Sequence, residues 1–187
     1  MKLKFVIAGA AALALAACGG DADEAATEDT TVADQTAMSD DTAADATMPT
    51  TGQAFADMQA SSDMYEVEAG KLAQQNGTAQ AVKDFGAMME RDHTKSSEDL
   101  KAAAAQASGV TVNPQMTAKH QSDLDALRNA GSNFDSVYKQ QQVAAHTQAL
   151  SMLRNFADNG DAQPLKDFAS KTATVVEGHL EHARELP

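Results

Sequence analysis

The chain has 187 residues with 14 basic and 27 acidic side chains, a formal net charge of −13, 43% hydrophobic residues and one cysteine. One cysteine excludes an intrachain disulfide, and Lys and Arg that nowhere cluster leave nothing to neutralise phosphates, which excludes nucleic-acid binding. No strand-like alternation competes with helical spacing, so the folded part is expected to be all-α.

Lys2 and Lys4 precede an apolar run over residues 5–17 that falls short of the about 20 residues a bilayer-spanning helix needs. Residues 1–17 therefore read as a cleavable secretory signal. Its end, Leu15-Ala16-Ala17-Cys18, resembles the bacterial lipobox, which makes Cys18 the lipidation site and the first residue of the mature chain. Gly19, in place of an aspartate that would resemble an inner-membrane retention signal, favours an outer-membrane lipoprotein facing the periplasm. Residues 18–51 then form the lipidated cysteine and an acidic, disordered tether: residues 19–51 hold nine carboxylates and no Lys or Arg, and self-repulsion keeps such a chain extended.

Residues 52–187 are long enough for one domain with its own core. In the first helix Phe55, Met58, Ser62, Tyr65, Ala69 and Leu72 recur at spacings of three and four, and Asn76-Gly77 ends it through the left-handed conformation that glycine tolerates. Thr78 is expected to cap the second, with Val82, Phe85, Met89, His93, Leu100 and Ala103 inward until Ser108-Gly109. Asn113-Pro114 opens a short third helix running to Gly131, and Ser132 with Asp135 resembles a capping box for a long fourth helix containing Phe134, Tyr138, His146, Leu150 and Leu153. After Asn159-Gly160-Asp161, a last helix presents Leu165, Phe168, Val176, His179, Ala183 and Leu186. The class is a helix bundle.

Glu66-Val67-Glu68-Ala69-Gly70-Lys71-Leu72-Ala73, Met88-Met89 leading into Asp92-His93-Thr94, Phe134-Asp135 with Tyr138, His146, and His179-Leu180 together resemble the bacterial family of unknown function DUF4142. That family is described as outer-membrane proteins and grouped with ferritin-like bundles. The resemblance covers nearly all of residues 53–186 and implies a ferritin-like four-helix bundle with an additional short helix between bundle helices two and three. It implies no reaction. Family members commonly carry a proline near the start of the last His-bearing segment, where Thr172-Ala173-Thr174 stands here.

Side chains equidistant from a tight turn lie level on antiparallel helices. The midpoint between His146 and His179 falls just past Asn159-Gly160-Asp161, so the two are expected to lie level, and His93 reflects through Asn76-Gly77 to near Ser62, one helical turn or about 6 Å from Glu66. Were residues 114–130 to continue straight into the next helix, His146 would lie about 27 Å beyond His93. With Gly131 as a break and the short helix folded across the bundle end, Glu66, His93, His146 and His179 are expected to meet in one middle layer. Imidazoles and a carboxylate on facing helices suit a divalent transition metal: iron, zinc, copper or manganese.

Glu90 and His93 make one Glu-x-x-His motif, but Val143 and Val176 stand where a second pair would need carboxylates. A complete di-iron oxidase is thus disfavoured, and no enzymatic activity is expected. Glu68, Glu90, Asp92 and His182 are candidates for supporting the site from behind or for alternative ligation, with solvent exposure the default for Glu68 and His182. Asp135 lies eleven residues from His146, about 16 Å along a helix, and serves a helix start. Met58 and Met89 fall on apolar stripes, where filling space takes precedence over copper ligation. The alternative to a metal protein is a non-catalytic periplasmic structural or interaction module, anchored to the membrane through Cys18, with an envelope protein as partner.

Overall fold

Apolar residues at three- and four-residue spacing do form helices wherever the sequence repeats them. The computed structural model describes residues 48–187. The signal at 1–17, Cys18 and the tether up to residue 47 lie outside the described residues. The helices are α1 (Gly52–Asn76), α2 (Gln80–Ala104), α3 (Ala118–Arg128), α4 (Phe134–Asn159) and α5 (Gln163–Glu185), with a single 3₁₀ turn, Gly131–Asn133, ahead of α4. Among the described residues the protein is all-α, a four-helix bundle with α3 as the additional short helix.

Several helix ends differ from expectation. Gly77 has φ −57° and ψ 139°, not the left-handed conformation. Glycine is needed there for space, because a Cβ would stand 2.6 Å from the Ala73 carbonyl oxygen. Gly109 and Gly131 are the left-handed ones, with φ 76° and 53°. Residues 113 and 114 precede rather than open α3, which starts at Ala118 with Thr117 Oγ1 accepting from His120 N at 3.1 Å. Thr78 does not cap α2 with its own side chain. Instead the Asp135 carboxylate reaches over from α4, accepting from Thr78 N and Ala79 N at 2.9 Å each and from the Thr78 hydroxyl. Asp135 thus serves a helix start, but that of α2.

That contact also fixes topology, since it brings the start of α4 to the start of α2. At the opposite end, Asp161 between α4 and α5 accepts from Gly52 N at 2.7 Å and donates its own N–H to Thr50 O at 3.1 Å. Helices α1 and α5 therefore run one way and α2 and α4 the other. The connection from α2 must return the full length of the bundle, and α3 makes that return packed on α1 and α4. Folding of the short helix across the bundle end is corrected by this path: Leu124 and Leu127 are buried alongside Tyr65 and Tyr138, which a segment lying across the end could not reach.

The core is divided. One apolar cluster, with Phe55 stacked on Phe156 at 4.1 Å and edge-on to Phe168, fills the end where α1 begins. A second, with Tyr65, Phe85, Met89, Phe134 and Tyr138, fills the end where α2 begins. Buried polar side chains lie between them: Gln59, Asp63 and Glu66 on α1, His93 on α2, Gln142 and His146 on α4, and His179 on α5. Near the second cluster α1 and α2 touch main chain to main chain, for a Cβ on Gly70 would meet Gly86 O at 2.5 Å and one on Gly86 would meet Gly70 O at 2.7 Å. Among the described residues no helix is long and apolar enough to cross a membrane.

Because Asp135 satisfies the otherwise unpaired N–H groups at the start of α2, Asp135→Ala is expected to cost about 1–2 kcal/mol. Urea denaturation should show a lower midpoint with an unchanged slope; an unchanged midpoint would mean that the cap contributes nothing.

Candidate metal centre

Helix α2 starts at Gln80 and α4 at Phe134, side by side. His93 is the fourteenth residue of one and His146 the thirteenth of the other, so two parallel helices carry them to the same depth. His179 reaches that depth from α5, which turns back from α4 around Gly160. The three rings pack with centroids 5.5–5.8 Å apart. One ring nitrogen from each lies within 4.8 Å of the other two.

Hydrogen bonding decides which nitrogens face inward. His93 Nδ1 donates to Asp63 Oδ1 at 2.8 Å, His146 Nδ1 to the Gln142 carbonyl oxygen at 2.9 Å, and His179 Nε2 to Asp92 Oδ2 at 3.1 Å. Each partner is a carbonyl or carboxylate oxygen, which can only accept from the ring, so each neutral ring carries its proton on the outer nitrogen. The other nitrogens, His93 Nε2, His146 Nε2 and His179 Nδ1, are buried without a hydrogen-bond partner among the described residues. Ligating histidines in metal proteins have this pattern, the outer nitrogen fixed by an acceptor and the inner lone pair free. Metal–nitrogen bonds of about 2.0–2.1 Å would require each nitrogen to move inward by less than about 1 Å. The residues present thus fit a transition-metal ion.

Glu66 is buried beside the triad rather than within it. Its carboxylate accepts from Gln142 Nε2 at 2.8 Å and stands 3.8 Å from His146 Nδ1, the outer nitrogen of that ring. Asp92 bonds His179 on α5 and not its own neighbour His93. Glu90 accepts from Gln74 Nε2 at 2.7 Å, Glu68 pairs with Lys71 at 2.7 Å, and His182 is exposed. None of these five belongs to the cluster of ligand atoms that His93, His146 and His179 form among the described residues.

Asp63, absent from the candidates read in the sequence, is fully buried and accepts from Gln59 Nε2 at 2.9 Å, His93 Nδ1 at 2.8 Å and Ser96 Oγ at 3.0 Å. Gln142 was missed as well. It holds Glu66 with its side-chain amide N–H and His146 with its main-chain carbonyl. A usable signal existed, since Gln59, Asp63 and Glu66 recur at the three- and four-residue spacing of an inward stripe, written in polar residues.

Burial sets the charges. It drives His146 down to about 3 and His179 down to about 4, with the His93 charge adding to both. Burial opposes a charge on His93 too, but the Asp63 carboxylate bonded to it, with Glu66 and Asp92 nearby, outweighs that and raises its pKa. Burial pushes the Glu66 carboxyl up to about 7 against the pull of His93 and the Gln142 bond.

The model of the family described as "Domain of unknown function (DUF4142)" matches residues 37–186. No curated protein matches the chain. Among solved structures, CopM in its Cu(I)-bound form is similar with a TM-score of 0.62 and 20% identity, covering 72% of this chain and 94% of CopM. CopM in its Cu(II)-bound form gives 0.62 and 19% over the same shares, and in its Ag-bound form 0.60 and 18%, covering 72% of this chain and 93% of that one. At such identities the likeness is one of fold.

In the metal-free protein, side-chain NMR should find His146 and His179 neutral at pH 5 and His93 titrating above the ordinary imidazole range. Lowered pKa values mean that the unfolded chain binds more protons than the native one. The stability these two rings contribute is therefore complete above about pH 6.5 and lost as pH falls through 4 and 3. Either ring titrating near 6.5 would contradict the buried geometry.

Proposed function

We infer the function of this chain from two premises: it belongs to the DUF4142 family, and three of its imidazoles turn bare nitrogens toward one another between two apolar clusters. It binds one transition-metal ion through His93 Nε2, His146 Nε2 and His179 Nδ1. Copper is the favoured metal. Nitrogen ligands bind copper most tightly among the divalent first-row ions, and the CopM structures of like fold are copper- and silver-bound forms.

The observation that carries this reading is the set of three orphaned nitrogens. No described protein group bonds any of the three, and a buried polar group left unsatisfied costs about 1–3 kcal/mol. An ion satisfies them together. His146 and His179 need lose no proton to bind, because burial already keeps them neutral. His93, whose pKa is raised, is the ring at which protons compete with the metal. Asp63 holds that ring in place and supplies a buried negative charge beside the incoming cation.

The domain is carried in the bacterial cell envelope as an outer-membrane lipoprotein facing the periplasm, on acyl chains at Cys18. The short apolar leader, the lipobox-like Leu15-Ala16-Ala17-Cys18 and the acidic stretch that follows support this placement. Two or more acyl chains make such an anchor durable.

Protein purified without chelator and equilibrated with copper, zinc, iron or manganese should retain one ion per chain in elemental analysis. His146→Ala should weaken binding by at least about a hundredfold and Asp63→Asn by about 10–100-fold, with affinity falling as the pH is lowered. Retention of none of the four metals would end the metal reading. For the anchor, wild-type cells fed a labelled fatty acid should label the protein and Cys18→Ala should not; label persisting in the variant would remove Cys18 as the lipidation site.

A further inference from the structure

The fifth histidine, His120, is held on α3 with more care than a surface residue needs. Its Nδ1 shares a 2.9 Å hydrogen bond with Ser61 Oγ, which is buried in α1 and also accepts from Thr117 N at 3.1 Å. Its ring stacks on buried Tyr65, with centroids 5.0 Å apart and planes 17° from parallel. A hydroxyl oxygen can accept twice, so Ser61 can take both the Thr117 N–H and an Nδ1–H from His120. The tautomer with its proton on Nδ1 leaves Nε2 as a lone pair, and no described group is hydrogen-bonded to it.

His120 borders a cleft of about 250 Å³ between α1, α3 and α4. Ala144, Ala145 and Ala149 line it along α4 and leave the room, while Met58 from α1 and Met152 from α4 line it as well. The register of the helices brings these two residues level. The Gly52–Asp161 bond ties the start of α1 to the end of α4. Met58 is six residues into α1 and Met152 seven before the last residue of α4, heights of about 9 and 10 Å. Ser61, which pins His120, stands only three residues beyond Met58, about 4.5 Å. Methionine, unbranched with three rotatable bonds, covers such differences.

We propose that Met58, His120 and Met152 form a second metal site, a binding site for a soft monovalent cation such as Cu(I) or Ag(I) in the cleft between α1, α3 and α4. Two thioethers and one imidazole are soft donors that prefer Cu(I) to the harder divalent ions. The donor set has no charge of its own, and at the rim Lys119 is paired with Asp123 at 2.6 Å, leaving no net charge that would attract divalent ions. This site is distinct from the buried triad and rests on that reading only for the choice of copper.

The test is anaerobic titration of the mature chain with Cu(I) against a chromogenic chelator, with X-ray absorption on the loaded protein. Wild type should take two equivalents, one with sulfur neighbours. M58L/M152L, which conserves volume, should take one, with the sulfur signal gone and circular dichroism and melting temperature little changed. His146→Ala should lose the other equivalent and keep the sulfur-bound one. One sulfur-bound ion that survives His146→Ala but not M58L/M152L would uphold this site and sink the triad. Equal stoichiometry in wild type and M58L/M152L, or spectra without sulfur at both loadings, would overturn the proposal.

Discussion

Three hydrogen bonds from the outer nitrogens of three buried rings to oxygens that can only accept govern the middle of this bundle. They orient the rings, fix where the protons sit, and leave bare nitrogens that no described protein group hydrogen-bonds. Most of the other buried polar groups answer to those bonds. Gln59 and Ser96 fill the remaining capacity of Asp63 so that it can stay buried beside His93, and Gln142 divides its side-chain amide N–H and main-chain carbonyl between Glu66 and His146.

Such a layer is costly for a bundle of this size, because it interrupts the apolar core at half height. The two flanking clusters offset the cost through large rings, Phe55 with Phe156 at one end and Phe85 with Tyr138 at the other. Topology makes the layer possible. Two pairs of parallel helices, joined by a long return through α3, place residues at equal distances from helix starts at equal depth, and so matched counts along α2 and α4 become proximity between His93 and His146.

The sequence made the four long helices and the meeting of three histidines legible, since both follow from periodicity and from distances to turns. The reason for the meeting differed: Gly131 does break the helical path, but the short helix climbs the bundle instead of folding across its end. Nothing local marks that choice, because it depends on Leu124 and Leu127 finding Tyr65 and Tyr138 in another part of the chain. Asp63 escaped for a related reason. Polar residues at helical spacing also describe a solvated face, and only the helices packed around α1 turn Gln59, Asp63 and Glu66 into interior residues. His120 stood in no apolar stripe, and its pinning by Ser61 and Tyr65 arises entirely from tertiary packing.

Gly70 and Gly86 let α1 and α2 rest backbone on backbone, with no side-chain cushion to deform. Such contact resists sliding of one helix against the other, and Asp63 and His93, one on each of these helices, inherit a separation set by main-chain contact. Main-chain contact thereby sets one wall of the polar layer, Asp63 and His93, while side-chain packing alone sets the other, His146 on α4 and His179 on α5.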